Sequence, residues 1–339
     1  MSEQAIDEAA LGAWLQAHVS GFRGPFSLSK FPAGQSNPTY RIEAASGRYV
    51  MRRKPFGQLL QSAHAVDREY RLLAALSPLG FPVPKPFALC SDPEVIGAIF
   101  YVMEMAEGRS YADGSLPDFE PAVRTKIYEA LVDTLAQLHA IDPGKAGLGD
   151  FGKPGNYFER QVARWTRQYR DSQTDDLPEM EQLIEFLPAS LPEQSRVSVV
   201  HGDYRIDNAM FDESGTLTAV LDWELATLGH PLSDLAYACM YYHLPAGEGR
   251  GGLADVNLRE LGIPDEDAFI ANYCRHAGRA RIDNWPFFLA FSCFRMAAIT
   301  QGVYARGLQG NAADPRALTY GGIAKQFAAT GLRLAGRSM

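Results

Sequence analysis

One stretch constrains this chain more than any other. It runs His201-Gly202-Asp203-Tyr204-Arg205-Ile206-Asp207-Asn208 and is followed by Leu221-Asp222-Trp223-Glu224. Asp203 precedes Asn208 by five positions, and Asp222 follows after the turn-forming Asp212-Glu213-Ser214-Gly215 and a short apolar run. A base, an amide oxygen and a second carboxylate in this order suit phosphoryl transfer. One acid takes the proton of an attacking hydroxyl. The amide and the other acid supply the hard oxygen ligands that Mg²⁺ prefers on nucleotide phosphates. Any one of these acids alone reads equally well as a turn residue of a hairpin; the spacing of the set is what carries information.

The pair of motifs resembles the catalytic and metal loops of the kinase-like phosphotransferases, the aminoglycoside phosphotransferase and choline kinase superfamily. Protein kinases keep the same Asp-to-Asn spacing and follow it with Asp-Phe-Gly. Here Asp222-Trp223-Glu224 takes that place, and His201-Gly202-Asp203 replaces His-Arg-Asp. The resemblance covers about residues 25–310. It implies an α+β, two-lobed protein-kinase-like fold: an antiparallel-sheet N-lobe over 1–105 and a mainly helical C-lobe over 106–339.

Composition agrees with a soluble globular protein. The chain has 339 residues, 46% of them hydrophobic, enough for a sizeable core. A net charge of −8 argues against nucleic acid or an anionic membrane as partner. Cys90, Cys239, Cys274 and Cys293 lack CxxC spacing and read as reduced core residues. The start carries Glu3, Asp7 and Glu8 and has no basic, then apolar, leader pattern. The longest apolar run, 285–299, contains Arg295 and is short for a membrane span. A cytoplasmic location is expected.

Read in order, 6–19 has helical periodicity, and 26–49 reads as strand, turn, strand. The turn holds small residues that let backbone N–H groups approach phosphate oxygens. The resemblance makes it the nucleotide-covering loop, with Gly34, Ser36 and Asn37 at its tip. In Tyr49-Val50-Met51-Arg52-Arg53-Lys54, strand alternation sets Arg52 and Lys54 on one face and Arg53 on the other. The resemblance assigns Arg52 to the phosphates where many relatives carry Lys, and Glu69, on a helix predicted over 59–76, as its partner. Prolines keep 81–86 out of a helix. A strand over 95–105 brings Met103 to the wall of the adenine pocket and Glu104 and Met105 to the adenine edge, again by resemblance.

Further helices are expected over 121–141, 156–169, 179–187, 235–242, 265–278, 285–305 and within 311–334, and a short strand over 197–200. His139 reads as structural, His201 as a loop anchor, and Tyr204 as packing or lining an acceptor site. Arg205 could stabilise transition-state charge. Asp234, in Ser233-Asp234-Leu235-Ala236, resembles the family's brace of the catalytic loop. Arg295 either pairs with a core carboxylate or faces the acceptor.

The resulting expectation is an ATP- and Mg²⁺-dependent transfer of the γ-phosphoryl group to a small-molecule hydroxyl. Asp203 and Arg205 are catalytic, and Asn208 and Asp222 are metal-binding. The texture around Asp67-Arg68-Glu69-Tyr70 and Gln301-Gly302-Val303-Tyr304 resembles the subgroup associated with acyl-CoA dehydrogenases. That subgroup implies a hydroxy acid or hydroxyacyl-CoA acceptor, with Arg295, Arg306 or Arg109 for an anionic group. The alternatives are an aminoglycoside acceptor and, in another class, a nucleotide-binding pseudokinase scaffold.

Overall fold

The computed structural model describes the chain except residues 1–5, 33–36, 57–64, 154, 195, 247–251, 313 and 337–339. The chain forms two compact units. One comprises Met1–Arg109, Ala209–Glu213 and Leu217–Ala226; the other comprises Ser110–Asn208, Ser214–Thr216 and Thr227–Met339. The boundary thus falls after Arg109 rather than at 105, and a hairpin from late in the chain belongs to the first unit.

The first unit is built on a five-stranded antiparallel sheet in the order β1-β2-β3-β5-β4. Its strands are β1 (Phe26–Lys30), β2 (Thr39–Ala44), β3 (Gly47–Arg53), β4 (Pro86–Cys90) and β5 (Phe100–Glu104). Side-chain alternation divides the sheet into two faces. Tyr40, Ile42, Tyr49, Met51, Phe100 and Val102 share one core with Leu11 and Leu15 of α1 (Glu8–His18). Asp7 caps that helix by accepting from the N–H groups of Ala9 and Ala10. The opposite face carries Arg52, paired in register with Tyr101, and there α2 (Val66–Leu76) brings in Glu69 and Asp67. The alternation expected of Arg52, Arg53 and Lys54 holds. Lys54 pairs with Asp67 at 3.1 Å, whereas Arg53 is buried beneath Tyr40 and Phe56.

The expected strand over 95–105 begins only at Phe100, because Gly97 takes φ +81° and closes a turn onto Pro93. β4 was not anticipated; its half-buried pattern lacks clear alternation. The late hairpin joins β7 (Ala209–Phe211) to β8 (Leu217–Val220). It is pinned to this unit by reciprocal backbone bonds between Arg109 and Phe211, by Thr218 to Glu107, and by Val220 to Pro82. Gly108 permits the approach: a Cβ there would lie 2.6 Å from the Phe211 oxygen, and its φ is +114°.

The second unit is helical: α3 (Pro121–Ala140), α4 (Tyr157–Ser172), α5 (Pro178–Ala189), α6 (Leu232–Cys239), α7 (Leu258–Leu261), α8 (Glu266–His276), α9 (Trp285–Leu308) and α10 (Tyr320–Ala335). α9 is long and apolar enough to cross a membrane by composition, but 83% of its most apolar window is buried. It is the core helix of this unit, with α4, α5, α6 and α10 packed around it. α10 comes close because Gly331 has no side chain; a Cβ there would sit 2.9 Å from the Cβ of Cys293. All four cysteines are buried free thiols. A two-stranded ladder of β6 (Ser198–Val200) and β9 (Thr227–Gly229) leads into the 201–208 loop and, two residues past β9, into α6.

His230 lies at that second exit. It is 2% exposed, stacks on Phe288, and its Nδ1 accepts the N–H of Leu232 at 3.2 Å. Burial, then the charge of Arg279 and proximity to His139, push its pKa down to about 4. The unfolded chain, with an ordinary value of about 6.5, therefore binds more protons than the native state between these values. Stability should fall as pH drops from about 6.5 toward 4, by at most roughly 3 kcal/mol from this residue. His230→Asn retains an acceptor and does not titrate. Melting temperatures across that range should fall less steeply in the variant than in the wild type; equal slopes would contradict the assignment.

Candidate active site

The 201–208 loop hangs from one buried carboxylate. Asp234, in the first turn of α6, is 1% exposed. Its two oxygens accept the N–H groups of His201 (2.6 Å) and Gly202 (2.9 Å). Burial opposes its charge, but the His139 hydrogen bond and charge, His201 and the Gly202 N–H outweigh it and hold the carboxyl below the usual range. Gly202 takes φ +82°, a conformation open to glycine, which turns the chain so that consecutive N–H groups face Asp234. His201 Nδ1 accepts the N–H of Asp203 at 3.1 Å, anchoring the loop. His139 is structural: its ring nitrogens meet Tyr273 at 2.7 Å and Asp234 at 3.4 Å.

The loop presents Asp203 with its carboxylate already oriented. One oxygen accepts from Tyr237 at 2.5 Å and the other from Asn208 Nδ2 at 2.9 Å. Asn208 Nδ2 also donates to the Asp203 carbonyl at 2.9 Å, which leaves its Oδ1 as the outward-turned acceptor. Arg205 Nε lies 3.4 Å from Asp203, and Arg205 Nη1 pairs with Asp207 at 2.7 Å. Burial disfavours charge on Asp203. Arg205, the Tyr237 hydroxyl, His201 and Arg295 overcome that and keep its pKa below the ordinary value. The group is therefore ionised at neutral pH, with lone pairs left to accept a proton.

In the first unit, Arg52 occupies the corresponding place among acids. Its guanidinium meets Glu69 at 2.7 Å, Asp222 at 3.0 Å and Glu224 at 3.8 Å. A forked, planar cation serves two carboxylates at once where a lysine would reach as a point charge. Burial lifts the Glu69 carboxyl to about 7, with Arg52 opposing and Asp222 and Glu224 adding to the rise. Burial works against the Arg52 charge, yet Glu69 and Asp222 hold it protonated. Asp222 sits at φ +63°, ψ +62° and is 39% exposed, and its second oxygen makes no bond within the described residues. The β7–β8 ladder begins one residue after Asn208 and ends two before Asp222.

Asp222 in the first unit and Asn208 in the second each offer a hard oxygen of the kind that suits Mg²⁺, an ion that uses few protein ligands when phosphates complete its shell. Among the described residues no cluster of three or more His, Cys, Asp or Glu forms a dedicated all-protein cage.

The other expected site residues are placed as follows. Gly34 and Ser36 lie outside the described residues. Asn37 is 1% exposed, and its Oδ1 meets no partner among the described residues. Met103 is largely buried on β5 opposite Val50. The Glu104 N–H donates to Lys85 at 2.8 Å, so it is not a donor for a base edge; Met105 follows the strand end, half-buried. Among the described residues Arg295 pairs with no carboxylate. It donates to the Gly202 carbonyl and lies over the rings of Trp165 and Tyr237. Tyr237 and Glu224 were not anticipated: nothing local in the sequence marks a tyrosine on α6, or the acid beside Asp222, as touching the site.

Behind the loop, the second unit holds a pocket with about 40 Å³ of open space. Its walls are mostly apolar or aromatic, among them Leu131, Tyr204, Tyr241, Leu253 and Phe269, and they reach Arg205 and Asp207. Tyr204 both lines this pocket and packs, its hydroxyl donating to Leu131 at 2.8 Å.

Comparison with known proteins identifies the chain's relatives. The model of the phosphotransferase enzyme family matches residues 27–287. Acyl-CoA dehydrogenase family member 10 of Mus musculus is 45% identical over 327 residues. That match takes in 96% of this chain but 31% of the relative, so the chain spans about a third of that protein's length. A crystal structure of a candidate aminoglycoside phosphotransferase from Ralstonia eutropha superposes with a TM-score of 0.90 at 44% identity, covering 98% of this chain and 99% of that one. Aminoglycoside phosphotransferase APH(4)-Ia, in ternary complex with AMP-PNP and hygromycin B, gives 0.63 at 15% identity, covering 96% and 98%, a likeness of fold alone. With its antiparallel sheet unit, its helical unit and the loop that carries Asp203 and Asn208, the chain belongs to the phosphotransferase enzyme family and has a protein-kinase-like fold.

Proposed function

We propose that this chain is an ATP- and Mg²⁺-dependent small-molecule kinase that moves the γ-phosphoryl group to an acceptor hydroxyl. The observation that carries the reading is the ionised Asp203, fixed by Tyr237 and Asn208 on a loop braced by Asp234. Asp203 takes the hydroxyl proton as the acceptor oxygen bonds to the γ-phosphorus and the bond to the β–γ bridging oxygen breaks. Asn208 and Asp222 hold Mg²⁺. When bound, the ion neutralises phosphate charge and draws electron density from the transferring group. Arg52 binds phosphate oxygens while Glu69 fixes its direction. Arg205, beside Asp203, stabilises charge in the transition state. The nucleotide-covering role that the family resemblance gives Gly34, Ser36 and Asn37 falls largely outside the described residues. Met103 walls the adenine, and the Met105 backbone is the donor available to its edge, since the Glu104 N–H is committed to Lys85.

The acceptor is a hydroxy acid or hydroxyacyl thioester. Two observations favour this over an aminoglycoside. The pocket reaching the loop is apolar, and its one acid, Asp207, is neutralised by Arg205; a polycationic antibiotic needs several free carboxylates. The relative named for acyl-CoA dehydrogenase activity extends well beyond this chain, which supports a functional link to such an enzyme. The aminoglycoside reading rests on the name of the Ralstonia relative. A pseudokinase scaffold has no use for an oriented base. The four buried free thiols support a cytoplasmic location.

Asp203→Asn should retain MgATP affinity within about twofold and lose about 10²–10⁴-fold in transfer rate; unchanged turnover would remove Asp203 from the mechanism. Asp222→Ala should abolish the metal-dependent part of nucleotide binding, measured by calorimetry with and without Mg²⁺. Retention of that difference would exclude Asp222 as a ligand. An ATP-consumption screen should show turnover with hydroxyacyl-CoAs and none with aminoglycosides; the reverse pattern would reverse the acceptor assignment.

A further inference from the structure

Arg295 is a buried cation that hydrogen-bonds no carboxylate among the described residues, although its charge acts on Asp203. It lies in the apolar helix α9, is 7% exposed, and forms no ion pair within the described residues. Burying an unpaired charge is costly, so a position that keeps one carries a specific compensation. Here the guanidinium lies over the Trp165 ring, 5.5 Å away on α4, and over the Tyr237 ring, 5.4 Å away on α6. Among the described residues its one hydrogen bond goes to the carbonyl of Gly202. The peptide joining Gly202 to Asp203 begins at that carbonyl. Asp234 holds the N–H on the other side of Gly202, and His201 holds the N–H of Asp203. The left-handed Gly202 is thus fixed from two helices, with Asp234 taking its donor and Arg295 its acceptor.

Tyr237 closes the arrangement. The ring that supports Arg295 carries the hydroxyl that bonds Asp203 at 2.5 Å. One side chain on α9 therefore bears on both ends of the base: the peptide plane from which Asp203 projects and the phenol that orients its carboxylate. An asparagine or glutamine could reach a carbonyl but would place no cation over the two rings. A lysine would donate to the carbonyl without the planar face.

We propose that Arg295 is a positioning residue for Asp203, locking the Gly202–Asp203 peptide and the Tyr237 ring so that the carboxylate meets the acceptor hydroxyl. The role rests on the kinase reading above and adds a residue to it that touches neither nucleotide nor metal. Such an effect on alignment costs about 10²-fold in rate when lost.

The test uses the full chain with Arg295→Ala, Arg295→Met and Arg295→Lys, each checked by thermal melt. Turnover of MgATP is followed with a hydroxyacyl-CoA and with water as acceptors, and hydrogen exchange is followed by mass spectrometry in the peptide spanning the 201–208 loop. The expected result is a kcat lowered about 10²-fold with the KM for ATP within about twofold. Exchange in the loop should be faster. Millimolar guanidinium chloride should restore part of the rate and protection to Arg295→Ala, whose cavity admits it, and none to Arg295→Met. Wild-type kcat in Arg295→Ala and Arg295→Met would overturn the proposal. So would a loss of MgATP affinity parallel to the loss of rate, with no rescue, since that marks a merely structural residue. If the wild type turns over ATP with neither acceptor, the kinase reading fails. Loop protection and its rescue by guanidinium then decide the placement of Arg295 alone: rescue supports it and unchanged exchange overturns it.

Discussion

A buried carboxylate accepting two successive backbone N–H groups is the interaction on which the second unit's chemistry depends. Asp234 is nearly inaccessible, and its charge survives because those donors and two histidines face it. A loop with unpaired N–H groups beside an apolar core would rearrange to satisfy them. With both bonded to a rigid helix start, the turn at Gly202 has one low-energy arrangement. Asp203 inherits that rigidity, so in the proposed reaction its carboxylate would need no reorganisation before accepting a proton.

The first unit poses the opposite electrostatic problem. Arg52 is enclosed by Glu69, Asp222 and Glu224, so acids outnumber the base at close range. Burial lifts the Glu69 carboxyl to about 7 against the pull of Arg52, and the neighbouring Asp222 and Glu224 add to the rise. On the proposed reading, a divalent cation on Asp222 would reduce it, and nucleotide phosphates would take up the Arg52 charge. Arginine rather than lysine at position 52 makes sense on this view, because its fork keeps Glu69 in hand while the second nitrogen changes partner.

Much of this was legible in the sequence because the functional residues lie close together in it. Asp203, Asn208 and Asp222 fall within twenty residues, and the residues between them form one loop and one hairpin. Strand alternation correctly separated Arg52 from Arg53. Helical periodicity located α1, α3 and α9 within a few residues. Other features depend on contacts distant in sequence. Tyr237 reaches Asp203 only because α6 starts at the loop's own anchor. Arg295 was recognisable as an anomaly in an apolar helix, but its partner is a backbone carbonyl, and carbonyls leave no mark in a sequence. The β7–β8 hairpin joined the first unit through backbone bonds to Pro82, Glu107 and Arg109, which composition cannot reveal. β9 is three residues long and forms only because β6 offers it an edge.

The central claim is that Asn208 and Asp222 bind the metal of a metal–nucleotide complex while Asp203 stays free of it. A crystal structure of the chain with Mg²⁺ and a non-hydrolysable ATP analogue tests this most directly. The account predicts Mg²⁺ at about 2.0–2.1 Å from an Asn208 oxygen and an Asp222 oxygen, with phosphate oxygens and water completing an octahedron. It also predicts Arg52 on the phosphates and Asp203 outside the metal's coordination. A metal bound without Asn208 and Asp222, or an analogue seated away from Arg52, would contradict it.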